Sequence, residues 1–400
     1  MTTSANSPVR APVSGGSRAP LLTRALLLRF VSMVGSSVSF FLLLSTVPAY
    51  AEAAGGGGGA GLATGALMLS TVLGELVSPR LVARWGNRLP LTAGLLLLGV
   101  PALVLTVSDG MVWIVAVCLV RGLGFALTLV AGGALTASLI PAERRGEGLA
   151  LVGLVGGASS LVALPLGLWL ARHVGYGPVA VAAGVAALAA IASVPGLPDG
   201  RPTAGASPTS DRPLGMTAAL RGSALRRPAL VFATTALAAG ILVTFLPLAV
   251  PSGSGWVVSV ALVVQPGAST AARWVTGRYG DRHGSARFVV PGLLLSAAGM
   301  LLIVPTAHPV AVVAGAAVFG VGFGVTQNAT LTLMYARTSR PSYGTVTALW
   351  NLAYDGGMGV GAAGFGLLAA HTGYAWAFAL TATTMLLATA PAVRDARTRT

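Results

Sequence analysis

The chain has 400 residues, of which 54% are hydrophobic and only 9% charged, and its formal net charge is +15. Soluble domains carry about 25% charged residues, so this chain has too little polar surface to solvate a globule, and the expected solvent is lipid. The basic residues are all arginine and fall in short groups between apolar runs rather than in a stripe, which argues against nucleic acid as a partner.

In chain order, residues 1–24 are polar and rich in Pro and Ser, and read as a cytoplasmic tail. A membrane helix needs about 20 apolar residues. The first charge-free run, 30–51, is followed by many of similar length, so it reads as a retained span and not a cleaved signal. Further runs cover 53–74, 89–108, 148–171 and 174–198, and the stretch 110–142 is interrupted only by Arg121. Three longer stretches, 228–272, 288–336 and 341–393, must each fold back, with turns expected at 251–255, at His308-Pro309 and at 371–374. The expected fold is an all-α membrane protein of twelve transmembrane helices. Nothing alternates with the period of a transmembrane barrel. Cys118, the only cysteine, lies within an apolar run, so neither a disulfide framework nor a thiol metal site is expected.

Orientation follows from the arginines. With the N-terminus inside, the inside segments hold Arg80, Arg84 and Arg88, then Arg144 and Arg145, then Arg278, Arg282 and Arg287. The outside loops hold Glu52, Asp109, Arg172 and little else. A multi-pass protein of the inner (plasma) membrane with both termini cytoplasmic is expected. The glycine run 55–61 reads as a flexible outside linker. The Pro/Gly/Ser/Thr-rich segment 198–225 reads as a cytoplasmic linker. It divides the chain into six-helix bundles over 25–197 and 226–393, followed by a tail at 394–400.

The halves match at a constant offset of 198 residues. Arg80, Arg84 and Gly86 fall on Arg278, Arg282 and Gly284; Gly124-Phe125 falls on Gly322-Phe323; His173-x-Gly175-Tyr176 falls on His371-x-Gly373-Tyr374. Internal duplication in a polytopic chain points to a transporter with its site between the repeats. Over nearly its whole length the sequence resembles the major facilitator superfamily, in particular its drug- and sugar-efflux permeases. GRYGDRHGSAR (277–287) is similar to that family's loop G-x-L-a-D-R-x-G-R-R, with Gly277, Asp281, Arg282 and Gly284 in the defining places. The first-half copy, PRLVARWGNR (79–88), keeps Arg84, Gly86 and Arg88 but has Pro79 for the glycine and Ala83 for the aspartate. The resemblance implies two pseudo-symmetric six-helix bundles and a conformational latch at these loops, with Asp281 its first residue to test.

Ionisable groups inside a membrane are expensive, so each is a functional candidate. Only Glu75 and Asp355 among the acids fall within expected spans, and they are the candidates for proton coupling. Arg121 joins them because Arg121-Gly-Leu-Gly124 resembles the family's fourth-helix pattern. A buried pair that only fixes packing is the structural alternative. In this family the cavity is lined mainly by the first, fourth, seventh and tenth helices. That places Gln327, Asn328, Ser36, Phe40, Thr128 and Phe245 as substrate-cavity candidates, with Trp350 and Tyr354 as an aromatic wall. The expected function is proton-coupled export of a small, amphipathic, largely uncharged molecule by alternating access. One basic residue and few acids within the expected spans argue against a strongly anionic substrate. Import of a small nutrient and a non-transporting receptor are the alternatives. An intramembrane enzyme is disfavoured because all four histidines fall in loops. The expected partners are substrate, protons and lipid; no cofactor or metal is expected, and a monomer is.

Overall fold

The computed structural model describes residues 22–55, 57–141, 144–199, 214–339, 342–390 and 392–393, with no side chain described at 145–147, 149, 150, 252 and 281–283. Among these residues the chain is helical, without strands. Twelve helices build the bundle. The first six are α1 (Arg24–Gly55), α2 (Gly59–Trp85), α3 (Arg88–Leu103), α4 (Met111–Leu139), α5 (Arg145–Val174) and α6 (Tyr176–Ala190). The second six are α7 (Ser223–Ala249), α8 (Gly255–His283), α9 (Ala286–Ile303), α10 (Pro309–Ala336), α11 (Tyr343–Thr372) and α12 (Tyr374–Leu387). Ten helical segments are long and apolar enough to cross a membrane; α11 is long but more polar, and α12 is apolar but has 14 residues. Helices apolar on every face fit a solvent that leaves backbone groups no partner except within the helix. The exposed large side chains include Leu62, Leu69, Leu154 and Val360, as lipid contact requires.

The duplication is visible in the packing. In the first half α3 lies against α4 and α6, α2 against α4, and α1 against α5; in the second, α9 lies against α10 and α12, α8 against α10, and α7 against α11. The register of 198 residues recurs at single atoms. A Cβ on Gly124 would sit 2.8 Å from the carbonyl oxygen of Gly94, and one on Gly322 would sit 2.6 Å from that of Gly292. Helices approach this closely in membranes where small residues let their backbones meet. The same register fixes the turns: Gly86 (φ 78) matches Gly284 (φ 83), and Gly175 (φ 87) matches Gly373 (φ 77), all in the left-handed region that favours glycine.

The halves meet along α2 with α11 and α5 with α8. Toward the end opposite the start of α1 they close tightly. There a Cβ on Gly61 would lie 2.6 Å from the Ala362 carbonyl, Thr244 Oγ1 donates to Thr64 Oγ1 at 3.2 Å, and Arg172 reaches across to Gly255. The glycine run expected as a loose linker is held at its far end. Glu52 accepts hydrogen bonds from the backbone N–H groups of Gly58 at 3.3 Å and Ala60 at 3.0 Å, at the start of α2. Residue 56 lies outside the described residues. Of the expected linker 198–225, residues 200–213 lie outside them too, and Met216–Arg221 forms a short helix. The tails 1–21 and 394–400 are likewise outside them.

Candidate functional site

A cavity of about 440 Å³ lies between the halves and reaches the end of the bundle where α1 starts, its wall including Arg29 near that start and Ala137 near the end of α4. Helices α1, α4, α7 and α10 contribute, as expected, and so do α5, α8 and α11. Of the cavity candidates, Ser36, Thr128 and Gln327 line it. Phe40 is buried and stacks on Phe125 at 3.7 Å, so that Phe125 and the neighbouring Phe41 present the aromatic surface instead. Asn328 points to α8, where its amide lies 3.4 Å from the place of a Cβ on Gly277. Phe245 is buried at the closed end against Phe365 and Tyr374. Trp350 and Tyr354 stack with Phe232, and Tyr354 lines the cavity.

Two cavity residues escaped the reading of the spans. Arg29 stands one residue before the first charge-free run, outside every expected span. It is 6% exposed, and its Nε donates to the Gly132 carbonyl at 2.9 Å and to Thr136 Oγ1 at 3.1 Å. Arg273, which stands 198 residues after Glu75 and so at its place in the repeat, exposes its side chain on the cavity wall. The premise of a single basic residue at depth is therefore corrected: Arg29 and Arg273 line the cavity, while Arg121 does not. Arg121 is 1% exposed and donates from Nη2 to the Ser39 carbonyl at 2.9 Å and from Nε to the Leu98 carbonyl at 3.2 Å. It ties α4 to α1 and α3 through backbone oxygens and meets neither acidic candidate.

The two intramembrane acids come together. Glu75 on α2 and Asp355 on α11 face each other across the seam between the halves, close enough for each carboxyl to feel the other. Asp355 is buried and Glu75 half-buried, and Glu75 Oε1 meets no partner among the described residues. Ionised carboxylates only accept hydrogen bonds, so a carboxyl–carboxyl bond requires at least one proton on the pair. The side-chain neighbour of Glu75 is thus Asp355. Asp355 also lines a second, apolar cavity of about 520 Å³ between α2, α4 and α11, with Leu62, Leu69 and Val360 on its lipid-facing rim.

At the loops between α2 and α3 and between α8 and α9, the side chains of Asp281 and Arg282 lie outside the described residues. Gly284 caps α8, its N–H donating to the Gly280 carbonyl at 2.9 Å. In the first half, the carboxylate that Ala83 lacks arrives from elsewhere. Asp199, beyond α6, accepts from the backbone N–H of Arg88 at 3.3 Å, and the Arg88 side chain donates to the Leu197 carbonyl. A side chain on Gly86 would collide with this carboxylate, the Cβ position being 2.7 Å from Asp199 Oδ1. Arg84 lies over the neighbouring Trp85 ring at 5.9 Å. A carboxylate at a helix N-terminus contributes from a fraction of a kcal/mol to about 2 kcal/mol. Asp199→Ala is expected to lower the thermal stability of the detergent-purified protein by that order, and Ala83→Asp to restore part of it. An unchanged unfolding curve for Asp199→Ala would show the contact to be idle.

Two pseudo-symmetric six-helix bundles with a cavity between them, open at one end and sealed at the other, are the architecture of a membrane transporter. The profile of the Major Facilitator Superfamily matches residues 29–362 and, in a second match, 251–398. The chain belongs to that family. A curated relative, the chloramphenicol resistance protein of Streptomyces lividans, is 29% identical over 376 residues, covering 90% of this chain and 94% of its own. Among solved structures, a bacterial homologue of the human lysosomal transporter Spinster, inward-facing and unoccupied, is 13% identical. It matches with a TM-score of 0.75 over 96% of this chain and 98% of that one. The nucleoside transporter NupG, also 13% identical, matches with a TM-score of 0.72 over 94% of this chain and 99% of its own. The chain is a multi-pass membrane transporter of this family, whose members bind small-molecule substrates within the bilayer.

Proposed function

We propose that the protein exports a small amphipathic molecule in exchange for protons, across the plasma membrane, with both termini cytoplasmic. The observation that carries this reading is that Glu75 and Asp355 face each other across the seam between the two halves, where two carboxyls can be joined by a hydrogen bond only while at least one carries a proton. Two carboxylates left in contact would repel by about 4 kcal/mol at the effective dielectric of a partly solvated pair. Protonation therefore favours the seam as it stands, closed opposite the termini and open at their end. Losing the proton into the open end parts α2 from α11 and favours the opposite opening. A proton taken up outside and released inside drives substrate the other way. The arginine asymmetry supports the sidedness, and the relative named for chloramphenicol resistance supports efflux of a drug-like compound. The Asp199 and Asp281 loops are assigned the part of latches on the cytoplasmic side.

Inverted membrane vesicles test the direction. With an acid interior, vesicles containing the protein are expected to accumulate at least one exported aromatic amphipath from a panel that holds both chloramphenicol and 1-naphthaleneacetate, and a protonophore to abolish the accumulation. Accumulation driven by an alkaline interior instead would establish import.

A further inference from the structure

We infer that the substrate the central cavity takes is an amphipathic anion, whose carboxylate or sulfonate head is held by Arg29 and Arg273 and whose apolar body lies on Phe41, Phe125 and Phe323. This rests on the transport reading of the cavity and names the class of molecule that enters it.

Two guanidinium groups line the cavity, and among the described residues no carboxylate does. Glu75 and Asp355, the acids within the membrane, are turned to each other in the seam and do not lie on the cavity wall. A low-dielectric cavity lined by one sign of charge attracts a ligand of the other and rejects cations. A topology anchor would send its arginine toward the interface. Arg29 does the opposite: it is buried, and its guanidinium is spread over Gly132, Thr136 and Ser32 on the walls of α4 and α1. Those bonds fix its plane, and a fixed guanidinium is suited to bidentate recognition of a carboxylate or sulfonate. Arg273 stands on α8, in the other half. An anion that engages both draws α1 and α8 together at the open end of the cavity, so binding itself favours closure there. Gln327 adds an uncharged donor from α10, and the aromatic side chains accept a flat apolar body. A neutral molecule would leave both cations without a counter-charge.

The test measures equilibrium binding to the purified full-length protein in detergent, without a proton gradient. The probes are matched acid and amide pairs: 4-phenylbutyrate, 1-naphthaleneacetate and 8-anilino-1-naphthalenesulfonate, each against its uncharged amide. The anion is expected to bind at least about tenfold more tightly in one pair or more, a difference of about 1.4 kcal/mol. Arg273→Gln is expected to remove that preference with amide binding unaltered, and Arg273→Lys to keep part of it. Arg273 is exposed, so its substitution leaves the fold intact; Arg29→Gln is read the same way where its melting curve is normal. No preference for the acid in any pair, or an undiminished preference in Arg273→Gln, overturns the inference. Either result leaves acid-driven accumulation in vesicles untouched, and failure of that accumulation leaves the binding preference untouched.

Discussion

Asp355→Asn is expected to abolish proton-driven accumulation while sparing substrate binding. Asparagine keeps a donor and an acceptor in nearly the shape of the carboxyl, so it can hold the bond to Glu75 across the seam. What it removes is the proton on which that bond depends. In the wild type, losing the proton sets two anions against each other, and the repulsion of about 4 kcal/mol is the free energy that couples proton release to opening. With an amide at 355 that repulsion disappears, and accumulation in acid-interior vesicles should fall by roughly three orders of magnitude, since about 1.4 kcal/mol is worth tenfold. Exchange of labelled substrate without a gradient should continue. Glu75→Gln should behave alike, and the double variant no worse than either, because the two groups act as one unit. Accumulation at the wild-type level in Asp355→Asn would leave the pair a packing contact only.

The second large effect belongs to the duplicated helix crossings. Gly124→Val and Gly322→Val each place methyl groups where a backbone already stands. The Cβ of residue 124 would lie 2.6 Å from Leu98 N, and that of residue 322 would lie 2.6 Å from the Gly292 carbonyl oxygen. Overpacking costs about 1–3 kcal/mol where side chains can yield, and more where only backbone can move. Each variant is expected to lower the apparent melting temperature of the purified protein by roughly 5 °C or more, with loss of monodisperse material. Gly364→Val is the control, because nothing lies within 4 Å of its Cβ position. Equal losses in the control would show that the crossings are not what the two variants disturb.

The sequence made much of the architecture legible. Apolar runs of helix length between arginine clusters predict spans, because the bilayer permits few alternatives. The 198-residue register predicted the pairing of Gly86 with Gly284 and of Gly175 with Gly373, and all four adopt the left-handed turn. The site was less legible. Ser36, Thr128 and Gln327 reach the cavity, but Phe40, Asn328 and Phe245 point elsewhere, since a rotation of one residue turns a helical side chain by about 100°. Arg29 lies at a run boundary, where a charge by itself does not tell a cavity residue from an interfacial anchor. Asp199 was hidden because the eye looks for the missing carboxylate beside Ala83, and the chain supplies it from beyond α6.

Sequence by itself determined that this protein spans a membrane, that it is built from two copies of one six-helix unit, and that Glu75 and Asp355 are its intramembrane acids. Each of these follows from composition or spacing along the chain, and lipid as solvent makes such local properties decisive. Only the tertiary structure decided that the two acids meet, that Arg121 is spent on backbone carbonyls while Arg29 and Arg273 face the cavity, and which end is sealed. Those are relations between helices from different halves, set by side-chain rotation and close backbone contact, and no periodicity within one helix encodes its partner.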